Sequence, residues 1–169
     1  MARSPFIADI VALRRHQGHR ESLEVRAPLP GLRVTGSEVP AGEPVELDLV
    51  LEAVEGGIVV AGRARAHWSG ECRRCLQPVE GDLDADVEEL FVTDSEEGET
   101  YPIAGDHIDL EPLARETLVL ALPMAPLCRP DCAGLCPECG ADRNRGSCGC
   151  DPVVRDPRWA ALDALRPEP

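Results

Sequence analysis

Hydrophobic and polar residues alternate with a period of two over three stretches in the middle of the chain. Val45, Leu47, Leu49, Leu51 and Ala53 interleave with Glu46, Asp48 and Glu52, the pattern of a strand buried on one face. Gly56-Gly57 then supplies a tight turn. From Ile58 to Trp68, one face carries Arg63, Arg65 and His67 and the other Gly62, Ala64, Ala66 and Trp68. Leu83, Ala85 and Val87 alternate with Asp82, Asp84, Asp86 and Glu88. The three stretches predict an antiparallel β-meander with the Arg-bearing strand in the middle. Arg63 and Arg65 then face carboxylates on both neighbours, at roughly 0.2–1 kcal/mol a pair. That gives them a structural role in preference to a nucleic-acid one.

Beyond the third stretch the period changes. Thr93 to Asp106 is rich in Glu and Gly without apolar periodicity, and reads as a mobile surface loop. Asp109 has the place of an N-cap, with Glu111 and Pro112 in the first turn and Leu110, Leu113, Leu118 and Leu122 following. This predicts a helix from about Leu110 to Ala121, ended by Pro123. Asp156-Pro157 opens a second, short helix with Trp159, Leu162 and Leu165 on its apolar side. Glu21 to Val45, with Pro28, Pro30, Pro40 and Pro44, reads as extended connections with room for one strand. The expected fold class is α+β: an antiparallel meander sheet packed with one or two helices over residues 1–127. Residues 128–169 form a cysteine-rich, zinc-binding segment with the short helix, packed with the sheet as one unit.

Composition sharpens this reading. Aromatic residues are only 3 % of the 169 positions, so the core rests on Leu, Val, Ile and Ala, which bury less area each. A metal-stapled segment offsets that weakness in a small fold. The net charge is −14, all seventeen basic residues are Arg, and the stretch between Cys75 and Ala114 holds thirteen acidic residues and no Arg. An acidic chain repels a phosphate backbone, so any nucleic-acid contact falls to local Arg patches. No apolar run of eighteen residues spans a membrane. Met1 to Gly18 has no continuous apolar core and no small-residue cleavage site, so the expected compartment is the cytoplasm, with reduced thiols.

Eight cysteines occur as Cys72-x2-Cys75, Cys128-x3-Cys132-x3-Cys136-x2-Cys139 and Cys148-x-Cys150. Cys136-Pro137-Glu138-Cys139-Gly140 has the form of a zinc knuckle, in which two thiolates converge and the glycine takes a positive φ. Disulfides suit neither the compartment nor the close Cys148–Cys150 pair. A redox pair wants a helix N-terminus, whereas Cys72 and Cys75 lie beside strand-like sequence. An iron site of rubredoxin type wants glycine after both knuckles, and Leu76 follows the first. Zinc is the remaining reading, one or two ions per chain. The preferred partition sets Cys72 and Cys75 with Cys128 and Cys132, and Cys136 and Cys139 with Cys148 and Cys150. A single site using four of the eight is the alternative. A fully thiolate-bound zinc keeps no open position, so it predicts structure and not catalysis. His16, His19, His67 and His107 are scattered, no nucleophile motif occurs, and no small-molecule substrate is implied. The expectation is a protein without enzymatic activity.

Glu71-Cys72-Arg73-Arg74-Cys75-Leu76 followed by Pro78-Val79 resembles the CxRC signature of the YceD family, the large ribosomal RNA subunit accumulation proteins. The order around it is similar too: an acidic strand, an Asp-Leu-initiated helix ending in Leu-Pro, the knuckle Leu135 to Gly140, and a closing Asp156-Pro157-Arg158-Trp159. The resemblance covers the chain from about Phe6 to Leu165. It implies a bacterial, non-enzymatic factor needed for accumulation of large-subunit ribosomal RNA. Family members that keep the first CxxC and lack the later cysteines imply two separable metal sites. The expected partner is ribosomal RNA or the pre-ribosomal large subunit, with Arg73, Arg74, Arg129, Arg143 and Arg145 as candidate contacts. The competing reading is an acidic adaptor that docks a basic ribosomal protein or a ribonuclease and never touches RNA. A thiol-redox or metal-storage protein is a third.

Overall fold

Three long strands carry the fold where the alternation predicts them. The computed structural model describes residues 4–95, 98, 100–150 and 158. In chain order the strands are β1 (Ile7–Asp9), β2 (Arg20–Pro28), β3 (Ser37–Glu38), β4 (Pro44–Val54), β5 (Gly57–Glu71), β6 (Pro78–Val92), β7 (Tyr101–Ala104) and β8 (His107–Asp109). The helix α1 spans Glu111–Ala121. The sheet runs β1-β8-β7-β6-β5-β4-β2, with β3 paired to β5 off this path. All pairings are antiparallel except β6 with β7.

The meander β4-β5-β6 is as predicted, with the Arg strand in its centre. Val54 pairs with Gly57, so Glu55 and Gly56 make the turn, one residue earlier than expected, with Gly56 at φ +86°. Arg63 Nε donates to Asp84 Oδ1 at 2.5 Å and its Nη1 to Asp86 Oδ1 at 3.0 Å on β6. Arg65 bridges Asp48 on β4 and Asp84 on β6. The Arg63 hydrogen bond holds the Asp84 carboxyl below its usual range. These pairs are exposed, so each is worth at most about 1 kcal/mol and acts mainly on register.

The opposite face of the same strands is the core. Val45, Leu47, Leu49 and Leu51 of β4, Ile58 and Val60 of β5, and Val87 and Phe91 of β6 are buried. Leu113, Ala114 and Leu118 of α1 belong to the same buried cluster. The helix is capped by Leu110, one residue beyond the predicted Asp109 and with no side-chain cap; Asp109 Oδ1 instead accepts from the Glu111 N–H at 2.9 Å in the turn that leads into the helix. Its last turn closes with Leu122 N–H on Leu118 C=O at 3.1 Å, after which the chain turns extended at Leu122, just before Pro123.

Two expectations are corrected. The protein is mostly β, with one α-helix among the described residues, and not a balanced α+β fold. The chain ends of the sheet account for the difference. Leu23, Val25 and Ala27 alternate in β2, and its closing Pro28 pairs with Pro44 at the start of β4, where prolines leave the ladder intact. Thr93 to Asp106 is not a loop throughout: Tyr101 and Pro102 pair in parallel with Phe91 and Val92, and the Tyr101 ring stacks on Phe91 at 5.1 Å. β1, at the N-terminus, pairs with β8. The short helix expected after Asp156 lies, apart from Arg158, outside the described residues. Among the described residues no helix is long and apolar enough to cross a membrane.

Candidate metal centres

The first CxxC is the turn of a hairpin. β5 ends at Glu71, paired with Pro78 at the start of β6, and residues 72–77 connect them. Cys72 N–H bonds Gln77 C=O at 2.8 Å, and Leu76 N–H bonds Cys72 C=O at 2.8 Å. The second CxxC repeats this geometry. Cys136 N–H bonds Ala141 C=O at 2.8 Å, and Gly140 N–H bonds Cys136 C=O at 2.9 Å. Both turns place a left-handed residue after the second cysteine, Leu76 at φ +60° and Gly140 at φ +74°. For a leucine that conformation costs about 1–2 kcal/mol. The left-handed turn therefore does not require glycine here, and Leu76 no longer discriminates between zinc and iron.

The eight sulfurs gather into two sets of four, with the predicted partition. Cys72, Cys75, Cys128 and Cys132 form one, and Cys136, Cys139, Cys148 and Cys150 the other, all sulfurs within a set lying within 4.8 Å of one another. Cys72 and Cys132 sulfurs are 3.8 Å apart, and those of Cys75 and Cys128 3.6 Å. A tetrahedral ion with metal–sulfur bonds of about 2.3 Å separates its sulfurs by about 3.8 Å, so the set fits such an ion. A disulfide needs about 2.05 Å, and no disulfide joins any of the eight. Four thiolates fill a tetrahedral shell and leave no position for a reacting water.

Thiol acidity follows from the same turns. The Cys128 N–H draws the Cys72 thiol down to about 6, and N–H groups of Cys139 and Glu138 do the same for Cys136, also to about 6. Burial pushes the Cys128 thiol up to about 12, and hydrogen bonding with Cys139 pushes Cys150 up to about 12. Against its burial, Cys132 is also lowered, through the Asn144 hydrogen bond, so each set offers at least one thiol that ionises readily as a first ligand.

The sets differ in what surrounds them. Cys72, Cys75 and Cys132 are buried against Val79, Leu127 and Leu135. In the second set only Cys136 is buried, while Cys139 and Cys148 are exposed. The first set also spans the chain, tying the β5–β6 turn to the segment after α1. Ser37 Oγ donates to Pro123 C=O at 2.8 Å and Arg73 N–H to Pro126 C=O at 2.9 Å, which fixes that segment's approach to Cys128.

One residue that sequence reasoning missed links the two sets. Asn144, between Cys139 and Cys148, donates from Nδ2 to Cys132 Sγ at 3.5 Å. Its Oδ1 accepts from Ala133 N–H at 2.8 Å and from Arg129 Nη2 at 2.7 Å. Asp142-Arg143-Asn144 closes on itself through Asn144 N–H to Asp142 Oδ1 at 2.9 Å, and this Asx turn is the signal the sequence carried.

The five candidate arginines divide. Arg74 Nη1 donates to Cys132 C=O at 2.9 Å, Arg129 holds Asn144 and Asp131, and Arg145 pairs with Asp142 at 3.5 Å. The Arg73 and Arg143 side chains are exposed and make no hydrogen bond or ion pair among the described residues.

Fold and site together define a mostly β protein with two closed four-cysteine centres. The model of the family described as "Large ribosomal RNA subunit accumulation protein YceD" matches residues 60–166, a span that takes in both centres. The chain belongs to the YceD family. It is 38 % identical to a protein of Mycobacterium tuberculosis named only as uncharacterized, over 98 % of this chain and 84 % of that one. A similarly named protein of Mycobacterium leprae is 35 % identical over 98 % of this chain and 80 % of its own length. "Large ribosomal RNA subunit accumulation protein YCED homolog 1, chloroplastic" of Arabidopsis thaliana is 26 % identical over 83 % of this chain and 55 % of its own. No solved structure matches.

Proposed function

We propose that the protein is a non-enzymatic, cytoplasmic ribosome-biogenesis factor that supports accumulation of large-subunit ribosomal RNA. The observation that carries this reading is the family match across residues 60–166, with the plant relative's name alongside it. Zinc is the proposed ion in both centres, one per set of four thiolates. Bound there, it supplies a cross-link and no reaction, because the shell is closed. The chain's own residues then do the binding. The first set holds the β5–β6 turn, with Arg73, against the segment after α1, and the second closes the loop that carries Arg143; both arginines are candidate contacts to ribosomal RNA or an assembly partner.

A second reading has its own observation. Glu80, Asp82 and Asp86 on β6 point outward with side chains 79–87 % exposed, on a chain of net charge −14. Such a face suits an adaptor that docks a basic protein without touching RNA. Co-sedimentation with large-subunit precursors on sucrose gradients, with ribosomal RNA levels in a deletion strain, tests the role. Free protein at every salt concentration together with normal RNA levels overturns it. Elemental analysis of the purified protein is expected to find two zinc ions per chain.

A further inference from the structure

The two knuckles differ at one residue in a way that folding does not require. Gly140 sits at the left-handed position of the second without strain, whereas Leu76 holds the same conformation in the first. Leu76 is 57 % exposed, so burial in the core does not explain the choice. A strained position kept without a packing reason points to a contact outside the fold. Met124, 76 % exposed, lines the same groove of about 610 Å³, between the Arg33–Glu38 hairpin and the first knuckle.

Main chain shapes the floor of this groove. A Cβ on Gly36 would lie 2.5 Å from the Met124 carbonyl oxygen, and one on Gly70 2.3 Å from the Gly36 carbonyl oxygen. Both positions therefore need glycine for the close approach. Around the apolar pair stand Arg33, Glu38, Glu71 and Arg73, none of them ion-paired among the described residues. By contrast, Arg20, Arg26, Arg63 and Arg65 on the sheet are all paired.

An apolar centre with a rim of both charges is the anatomy of a protein interface, where Met and Arg are enriched. RNA recognition calls for a net positive surface and stacking rings, and no aromatic residue lines this groove. The field of a −14 chain draws a cationic protein and repels a polyanion. We infer that this groove docks a cationic protein that seats an apolar side chain against Leu76 and Met124. The inference rests on the assembly role proposed above and names its partner class.

The test uses full-length, zinc-loaded protein against two probes: purified basic proteins of the large ribosomal subunit, presented one at a time, and a large-subunit ribosomal RNA transcript. Leu76→Gly is expected to keep both ions and leave Tm unchanged or raised by about 2–4 °C as strain is relieved. The same variant weakens binding of a basic protein at least tenfold. Met124→Ser weakens it too, and Val50→Ser on the outer sheet face does not. Unchanged affinity in both groove variants overturns the inference, as does a Leu76→Gly protein that loses metal and Tm. Loss of RNA binding in their place overturns the partner class and leaves the assembly role standing. Wild-type protein that binds neither probe and never co-sediments with precursors overturns both.

Discussion

Both cysteine centres start from the same knuckle, yet one is sealed into the protein and the other stands on its surface. The first uses a turn between two long strands and borrows its remaining ligands from a segment 53–60 residues away. The second draws all four ligands from residues 136–150. Cross-linking the longer loop removes about 4 kcal/mol of chain entropy from the unfolded state, against about 2.5 kcal/mol for the shorter. Burial widens the gap, because three of the first centre's sulfurs have apolar neighbours and no water to replace a lost partner. One ligand chemistry thus serves a long-range staple in one place and a local clasp in the other.

The largest effect should separate Cys72→Ser from Cys148→Ser. The first is expected to lose one ion and about 3–5 kcal/mol in urea unfolding, the second one ion and less than half of that. Equal losses would break the comparison. A chelator should withdraw the two ions in two phases, the exposed centre first, as read by a zinc-responsive dye; a single phase would show the centres to be equally accessible.

Acid should act in the same direction on both centres. Cys72 and Cys136 ionise near 6 in the fold against 9.0 when unperturbed, so the metal-free fold gains from them above 9 and loses that gain as pH falls through 6. Protons also compete with the metal for the sulfurs, so zinc release on titration below about pH 6 is expected from both.

Asn144→Ala tests the link between centres. It lies in the second centre's loop, but its Nδ2 reaches Cys132, so zinc affinity should fall about 10–100-fold at the first centre and change little at the second. The smallest expected effect is at the left-handed position. Gly140→Ala meets no atom within 4 Å, so its cost is backbone strain alone, about 1 kcal/mol, with both ions retained.

Much of this was legible along the chain. Period-two alternation places β4, β5 and β6, and it sets Arg63 and Arg65 opposite carboxylates on the neighbouring strands. Cysteine spacing gave the partition into two sets of four, because close pairs at knuckle spacing converge on one ion. The Glu111-Pro112 first turn and the Pro123 end of α1 were equally local signals.

Tertiary structure decided the rest. β2 and β7 carry short or proline-edged patterns that mean little until β4 and β6 offer ladders to pair with. Nothing in the order of cysteines says that the first set is buried and the second exposed; that follows from one turn lying between long strands over a packed core. Asn144 became a bridge only because the fold carries its side chain to Cys132, and Leu76 became a strained, exposed leucine only because the knuckle's hydrogen bonds demand a positive φ there. Spacing determines which atoms can meet an ion. Packing determines what it costs to lose one.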